Sequence, residues 1–207
     1  PSTSAFCQSV NSTRDIISVT YYPLNSDFTM ESPSVVSNDF SNLVSIYPDT
    51  LRPIYFVECG YASSYTCNSS ESQQAQFFTN IFSAWDAYID NIKYMSIFKT
   101  TDWSQADVDY LGTYLGINDT IFLEYLRTLG VRTWPGNGTN KQAYEQILCE
   151  LDERNWCSVS CLLSGLVDKS NNYETLAYPN PAKQTVTIDF GYSEKQIYTL
   201  KLFDTQG

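Results

Sequence analysis

Residues 16–22 read Ile-Ile-Ser-Val-Thr-Tyr-Tyr, and residues 54–58 read Ile-Tyr-Phe-Val-Glu. Both are short runs of β-branched and aromatic residues, the first stopped by Pro23 and the second ending on a carboxylate, and both read as strands. Between them Ser32 stands just ahead of Pro33, a helix-start pairing. Val35, Val36, Phe40, Leu43, Val44 and Tyr47 then recur at helical spacing, which predicts a helix to about Tyr47. The order repeats further on. Ser70 precedes a helix carrying Phe77, Phe78, Ile81, Phe82, Trp85 and Ile89, and residues 94–99, Tyr-Met-Ser-Ile-Phe-Lys, form a third strand. Helical stretches around 104–115, 119–128 and 141–153 follow. Nearly continuous apolar strands alternating with helices predict an α/β fold whose parallel sheet is covered on both faces. Three such units do not close a barrel of eight. The pattern fits either a small open sheet or the end of a barrel whose start is absent, with strands in the order 16–22, 54–58, 94–99 and helices on one side.

The pattern changes after residue 154. Residues 155–176 are irregular, with Ser-Asn-Asn in the middle, and read as a linker. From Ala177 onward, Thr185-Val-Thr-Ile-Asp-Phe190 and Ile197-Tyr-Thr-Leu-Lys-Leu-Phe203 alternate with period two, as strands of a separate β-module do. The domain reading is therefore 1–154, a linker at 155–176, and the start of a small all-β sandwich at 177–207.

Bulk composition excludes several classes of function. Of 207 residues, 43% are hydrophobic and 15% aromatic, a globular balance that disordered chains lack. No apolar run approaches ~18 residues, so no transmembrane segment is expected. Twelve basic against 23 acidic residues leave a net charge of −11, which disfavours nucleic acid and anionic lipid as partners. The same charge keeps an exported protein soluble and is compatible with a neutral sugar polymer. The chain has no histidine. That removes Ser-His-Asp and Cys-His catalysis and most catalytic zinc sites, and leaves acid–base work to Asp, Glu, Tyr, Lys or Cys. No metal and no cofactor are expected.

The six cysteines are Cys7, Cys59, Cys67, Cys149, Cys157 and Cys161. None forms a metal-binding pair two residues apart, and an even count suits disulfides in an oxidising compartment. Cys59 with Cys67 would close a short loop, and Cys149 could reach Cys157 or Cys161. Buried free thiols are the alternative. The chain begins with Pro1 and carries no signal peptide, which reads as a processed or incomplete N-terminus.

Glu58 is the sharpest chemical feature. A carboxylate ending a hydrophobic strand is costly unless it opens onto the C-terminal edge of the sheet, where parallel α/β folds place their active sites. The alternative is a structural strand-end ion pair. On the first strand, Ser18, Thr20 and Tyr22 would face inward, and Tyr22 could then donate a hydrogen bond to Glu58 and hold it ionised. Tyr21 reads more readily as a residue packed under a helix. Asp102 and Trp103 follow the third strand. Trp103 is a candidate platform for a sugar ring or, alternatively, an anchor of the core.

The segment Asp15-Ile-Ile-Ser-Val-Thr-Tyr-Tyr-Pro23, a helix, and then Pro53-Ile-Tyr-Phe-Val-Glu-Cys-Gly-Tyr61 resembles strands six and seven of a retaining glycosidase (β/α)8 barrel. It is similar to the arabinogalactan endo-β-1,4-galactanases and, more loosely, to the whole clan of barrels with paired glutamates. Gly130-Val-Arg-Thr-Trp134 and Gly138-Thr-Asn-Lys-Gln-Ala-Tyr144 resemble that clan's closing segment. The resemblance covers residues ~15–153. It implies a partial TIM barrel, strands six to eight, acting on a β-linked polysaccharide. Glu58 would be the nucleophile, Tyr22 would orient it, and Tyr21, Tyr61, Asp102 and Trp103 would contact substrate. The acid/base glutamate would end strand four, before Pro1, so residues 1–207 alone should be inactive. The chain departs from the clan at Phe98, where strand eight often carries Trp, and in placing Cys59 beside the nucleophile.

The tail resembles a second family. Ala177-Tyr-Pro-Asn-Pro-Ala-Lys183, then Val-Thr-Ile, then Leu-Lys-Leu-Phe-Asp-Thr-Gln-Gly207 is similar to the C-terminal sorting domain of the type IX secretion system. This implies that secretion machinery as a partner and a secreted or cell-surface bacterial protein, in which the sequons at Asn11, Asn68, Asn118 and Asn137 are products of an Asn- and Ser-rich surface. The competing reading of the whole is a non-catalytic, carbohydrate-binding or structural surface protein with a degenerate barrel.

Overall fold

The protein was analysed as a computed structural model, which describes residues 3–136, 138–156, 176–178 and 187–189. The chain divides into two compact units, Pro1–Ser164 and Gly165–Gly207.

The first unit opens with helix α1 (Thr3–Asn11), which was not anticipated from the sequence. Strand β1 (Ile17–Tyr21), helix α2 (Val36–Ile46), strand β2 (Ile54–Cys59), helix α3 (Glu71–Ala87) and strand β3 (Ile92–Ile97) follow. Helices α4 (Gln105–Leu115), α5 (Thr120–Arg127) and α6 (Gln142–Glu153) complete it. The three strands form one sheet in the order β1-β2-β3, and both pairings are parallel. Strand β3 lies two residues earlier than its sequence signal at 94–99. The starts of the helices obey local chemistry. Ser70 accepts a hydrogen bond from the Gln73 N–H ahead of α3, Ser104 from Asp107 ahead of α4, and Asp119 from Ile121 and Phe122 ahead of α5. Each cap satisfies donors that the first helical turn leaves without intrahelical partners.

Register and burial together define the two faces of the sheet. Ile17 pairs with Ile54 and Ile54 with Ile92, and all three are fully buried beneath the helices. Phe56 and Cys59 lie on this face too, packed with Phe40, Phe77, Phe78 and Ile81 from α2 and α3. On the other face Ser18 and Thr20 are exposed, Val57 is 42% exposed and Tyr94 is 47% exposed. The expectation of a sheet covered on both faces is therefore corrected. Among the described residues the helices cover one face, and the face carrying Ser18, Thr20 and Tyr94 is open. Ser18 and Thr20 of β1 offer little apolar area there to reward burial, whereas Val57 and Tyr94 leave apolar surface exposed.

Register shifts in β1/β2 beyond Val19 leave Val57 unmatched, so that Glu58 pairs with Thr20 and Cys59 with Tyr21. An extra residue of this kind re-aims the side chains that follow it, and it puts Glu58 on the open face.

Residues Asn155 and Trp156, which composition assigned to the linker, belong with the helices. Trp156 meets Trp85 with ring centroids 5.2 Å apart, and Phe82 at 6.2 Å. In the second unit, β4 (Leu176–Tyr178) and β5 (Thr187–Asp189) pair antiparallel. The expected strand at 197–203, and the rest of the expected sandwich, lie outside the described residues. No helix among the described residues is long and apolar enough to cross a membrane.

Candidate active site

Tyr22 follows β1 directly and Glu58 is the penultimate residue of β2, so both stand at the C-terminal ends of adjacent parallel strands. The Tyr22 hydroxyl donates to Glu58 Oε2 at 2.9 Å. Both residues are half-buried. Burial raises the Tyr22 phenol well above its ordinary value, and the hydrogen bond to Glu58 raises it further. Tyr22 therefore keeps its proton and stays a donor. A neutral donor stabilises the ionised carboxylate without adding a charge of its own.

Two aromatic contacts and one glycine fix this pair. The Tyr22 ring meets Phe98 edge-on at 6.4 Å and Tyr125, from α5, edge-on at 6.0 Å. Burial and then the charge of Glu58 hold the Tyr125 phenol above its usual range. Gly60 passes close under the Tyr22 ring: a β-carbon there would come within 2.8 Å of Tyr22 Cε1 and 2.3 Å of the Phe98 carbonyl oxygen.

Other residues singled out by sequence lie elsewhere. Tyr21 points to the helix-covered face, where its hydroxyl donates to Asp39 at 2.7 Å and its ring packs among Phe40, Phe56 and Phe77. Tyr61 is fully buried, stacks on Phe77 at 4.9 Å and donates to the Glu31 carbonyl. Neither is placed to touch a substrate: Tyr21 falls on the core side of β1 by the alternation of side chains along a strand, and Tyr61, two residues past the end of β2, is enclosed in the core. Asp102 is also buried. It accepts from Lys141 Nζ at 2.6 Å and from the Gly130 N–H at 2.9 Å, so its oxygen is committed to holding the chain together. Trp103 does not offer an open platform, since Lys99 Nζ lies 3.3 Å from its ring centroid.

The residues that sequence reasoning missed are mainly those that brace the site. Lys141 Nζ, besides Asp102, donates to Ser63 Oγ at 3.0 Å and to the Gly130 carbonyl at 2.8 Å. Burial draws the Lys141 ammonium down and the Asp102 carboxyl up, and their mutual contact opposes both shifts. Gln74 Nε2 donates to the Tyr61 carbonyl at 2.7 Å and to that of Gly130 at 3.1 Å. Lys141 was visible as part of the Lys-Gln-Ala-Tyr run, but its partner was not. Tyr125 carried no signal beyond its place in a helical repeat.

The expected Cys59–Cys67 bridge is not formed: both are free thiols. Cys59 projects into the core under the helices, whereas Cys67 ends a short 3-10 turn and its Sγ–H donates to the Ile121 carbonyl. Cys149 is disulfide-bonded; its two candidate partners, Cys157 and Cys161, lie outside the described residues. Among the described residues no group of three or more His, Cys, Asp or Glu could hold a metal ion.

Comparison with known proteins gives the following likenesses. Among solved structures, the chain is similar to a β-D-glucuronidase from Dictyoglomus thermophilum, with 17% identity and a TM-score of 0.46 over 71% of this chain and 23% of that one. It is also similar to a Bifidobacterium dentium β-glucuronidase complexed with coumarin-3-O-glucuronide, with 14% identity and a TM-score of 0.49 over 72% of this chain and 21% of that one. The chain thus spans less than a quarter of the length of either. No curated protein matches it. Residues 176–207 match the secretion system C-terminal sorting domain. The chain therefore carries a type IX sorting tail, and the protein is exported by that machinery to the cell surface or beyond.

Proposed function

We propose that residues 1–154 are the last three strand–helix units, strands six to eight, of a (β/α)8 barrel in a retaining glycoside hydrolase that cleaves a β-linked polysaccharide. Glu58 is its nucleophile and Tyr22 the residue that orients it. The observation that carries this reading is the 2.9 Å hydrogen bond from Tyr22 to Glu58 Oε2, made at the C-terminal ends of two adjacent parallel strands on the open face of the sheet. Resemblance of the flanking Tyr-Tyr-Pro and Glu-Cys-Gly-Tyr runs to strands six and seven of that clan supports it.

The proposed chemistry uses this geometry. Tyr22 occupies Oε2 and leaves Oε1 without a protein donor among the described residues, free to attack an anomeric carbon. As the Oε1–carbon bond forms, the glycosidic carbon–oxygen bond breaks, and the leaving oxygen takes a proton from a second carboxyl. That acid/base residue belongs to strand four, outside residues 1–207. Water, deprotonated by the same group, then displaces Glu58 and restores the original anomeric configuration.

The test uses the intact protein. Glu58→Gln keeps volume and hydrogen bonding but cannot form the glycosyl ester, so turnover of a β-galactan or β-glucan should fall at least a thousandfold with the fold unchanged. Tyr22→Phe removes one hydrogen bond to a charged group, about 1.5–3 kcal/mol, and should lower the rate roughly ten- to a hundredfold. Near-normal turnover by Glu58→Gln would make Glu58 structural.

A further inference from the structure

Lys99 stands two residues beyond the end of β3, on the rim that carries the candidate nucleophile. It follows Phe98, whose ring meets Tyr22 at 6.4 Å and lies 6.4 Å from Trp103. Its ammonium rests 3.3 Å from the centroid of the Trp103 ring. A continuous line of contacts thus runs from Glu58 through Tyr22, Phe98 and Trp103 to Lys99.

This cation has no carboxylate within ion-pair distance among the described residues. In a chain of net charge −11, carboxylates are plentiful, and Arg52, Lys93, Arg127, Lys141 and Arg154 each have one within ion-pair distance. Lys99, like Arg14 and Arg132, has none among the described residues; it is Lys99 that stands one residue from Phe98, the neighbour of Tyr22. Asp102, the nearest acidic residue in sequence, is bound to Lys141 instead, and Asp107 accepts from the Ser104 hydroxyl at 2.6 Å. Partial burial lowers the pKa of Lys99, the charges of Asp107 and Asp102 oppose that shift from beyond ion-pair distance, and an incoming anion would oppose it further. The indole holds the ammonium in place by its ring quadrupole but does not neutralise it.

We propose that Lys99, held on Trp103, anchors a subsite for a negatively charged sugar residue, one bearing a carboxylate or a sulfate, on the same rim of the sheet as Glu58. This rests on the glycosidase reading above and names its substrate class. The overall negative charge does not forbid it, because at physiological ionic strength that field is screened beyond about 8 Å, and the local cation decides. A single charge-assisted hydrogen bond in a half-buried site discriminates by roughly tenfold or more.

The experiment measures affinity and not turnover. The intact protein carrying Glu58→Gln is titrated calorimetrically with three β-linked oligosaccharides of equal length: one neutral, one with a uronate residue and one with a sulfated residue. At least one charged ligand should bind about tenfold tighter than the neutral one. Adding Lys99→Met should bring that ratio to about one, and Lys99→Arg should restore most of it. The ligand preferred identifies the anion. Equal binding of all three, no binding by either charged ligand, or a ratio unchanged by Lys99→Met would overturn the proposal. The role of Glu58 is judged separately, by the turnover of the otherwise native protein.

Discussion

Gly60 leaves no room for a side chain against Tyr22: a β-carbon at residue 60 would stand 2.8 Å from the ring and 2.3 Å from the carbonyl oxygen of Phe98. The second of these neighbours is backbone and cannot swing away. Gly60→Ala should therefore cost about 1–3 kcal/mol of stability and displace the Tyr22 ring, loosening the contact to Glu58. The check is thermal unfolding of the variant, alongside its turnover in the intact protein. A variant with unchanged melting temperature and unchanged rate would show that the rim can open freely.

Lys141 and Asp102 should prove strongly coupled. Lys141→Met strands a buried carboxylate and should destabilise by about 3–5 kcal/mol. Asp102→Asn strands the ammonium and should cost a similar amount. The double variant should be less damaging than the sum of the two, since no buried charge is then left alone. Denaturant unfolding of the two single variants and the double variant gives the coupling energy. Simple additivity would mean that the two groups do not stabilise each other.

Alkaline pH should unfold the protein. Burial, aided by acidic neighbours, lifts the phenols of Tyr21, Tyr22 and Tyr125, and burial pushes Tyr61 up to about 12. In the unfolded chain each ionises near 10. Above that pH the unfolded state has lost protons that the folded state retains, so stability is complete below about pH 10 and falls as pH rises towards 12. Phenolate absorbance should appear in two stages, exposed tyrosines first and these four together with loss of the fold. A single stage with the fold intact would mean that these rings are not held in the core.

Thiol labelling should separate the free cysteines. Burial raises the Cys59 thiol well above its ordinary value and pushes Cys67 up to about 12, so neither offers a thiolate at neutral pH. Cys7, partly exposed on α1, should react in the native protein. Mass spectrometry after native labelling should find the modification at Cys7 and not at Cys59 or Cys67, both of which react once the chain is denatured. Native labelling of Cys67 would place its loop in solvent.

The strands, their parallel order and the Ser70 cap of α3 were legible in the sequence because each rests on local chemistry. Period, β-branching and the serine before a helix act within a few residues. Glu58 was legible for the same reason, as a charge ending an apolar run. Its partnership with Tyr22 followed from strand adjacency, which the alternation of faces allowed the sequence to anticipate. Only the tertiary structure decided what Tyr21, Tyr61 and Asp102 do. Each lies beside a plausible site residue, but its role is fixed by partners far away in sequence: Asp39 for Tyr21, Glu31 and Phe77 for Tyr61, Lys141 for Asp102. The same holds for Cys59 and Cys67, eight residues apart yet buried in different surroundings. Sequence proximity sets how close two groups can come, whereas the side of the strand on which each falls, and what is packed there, sets whether they meet.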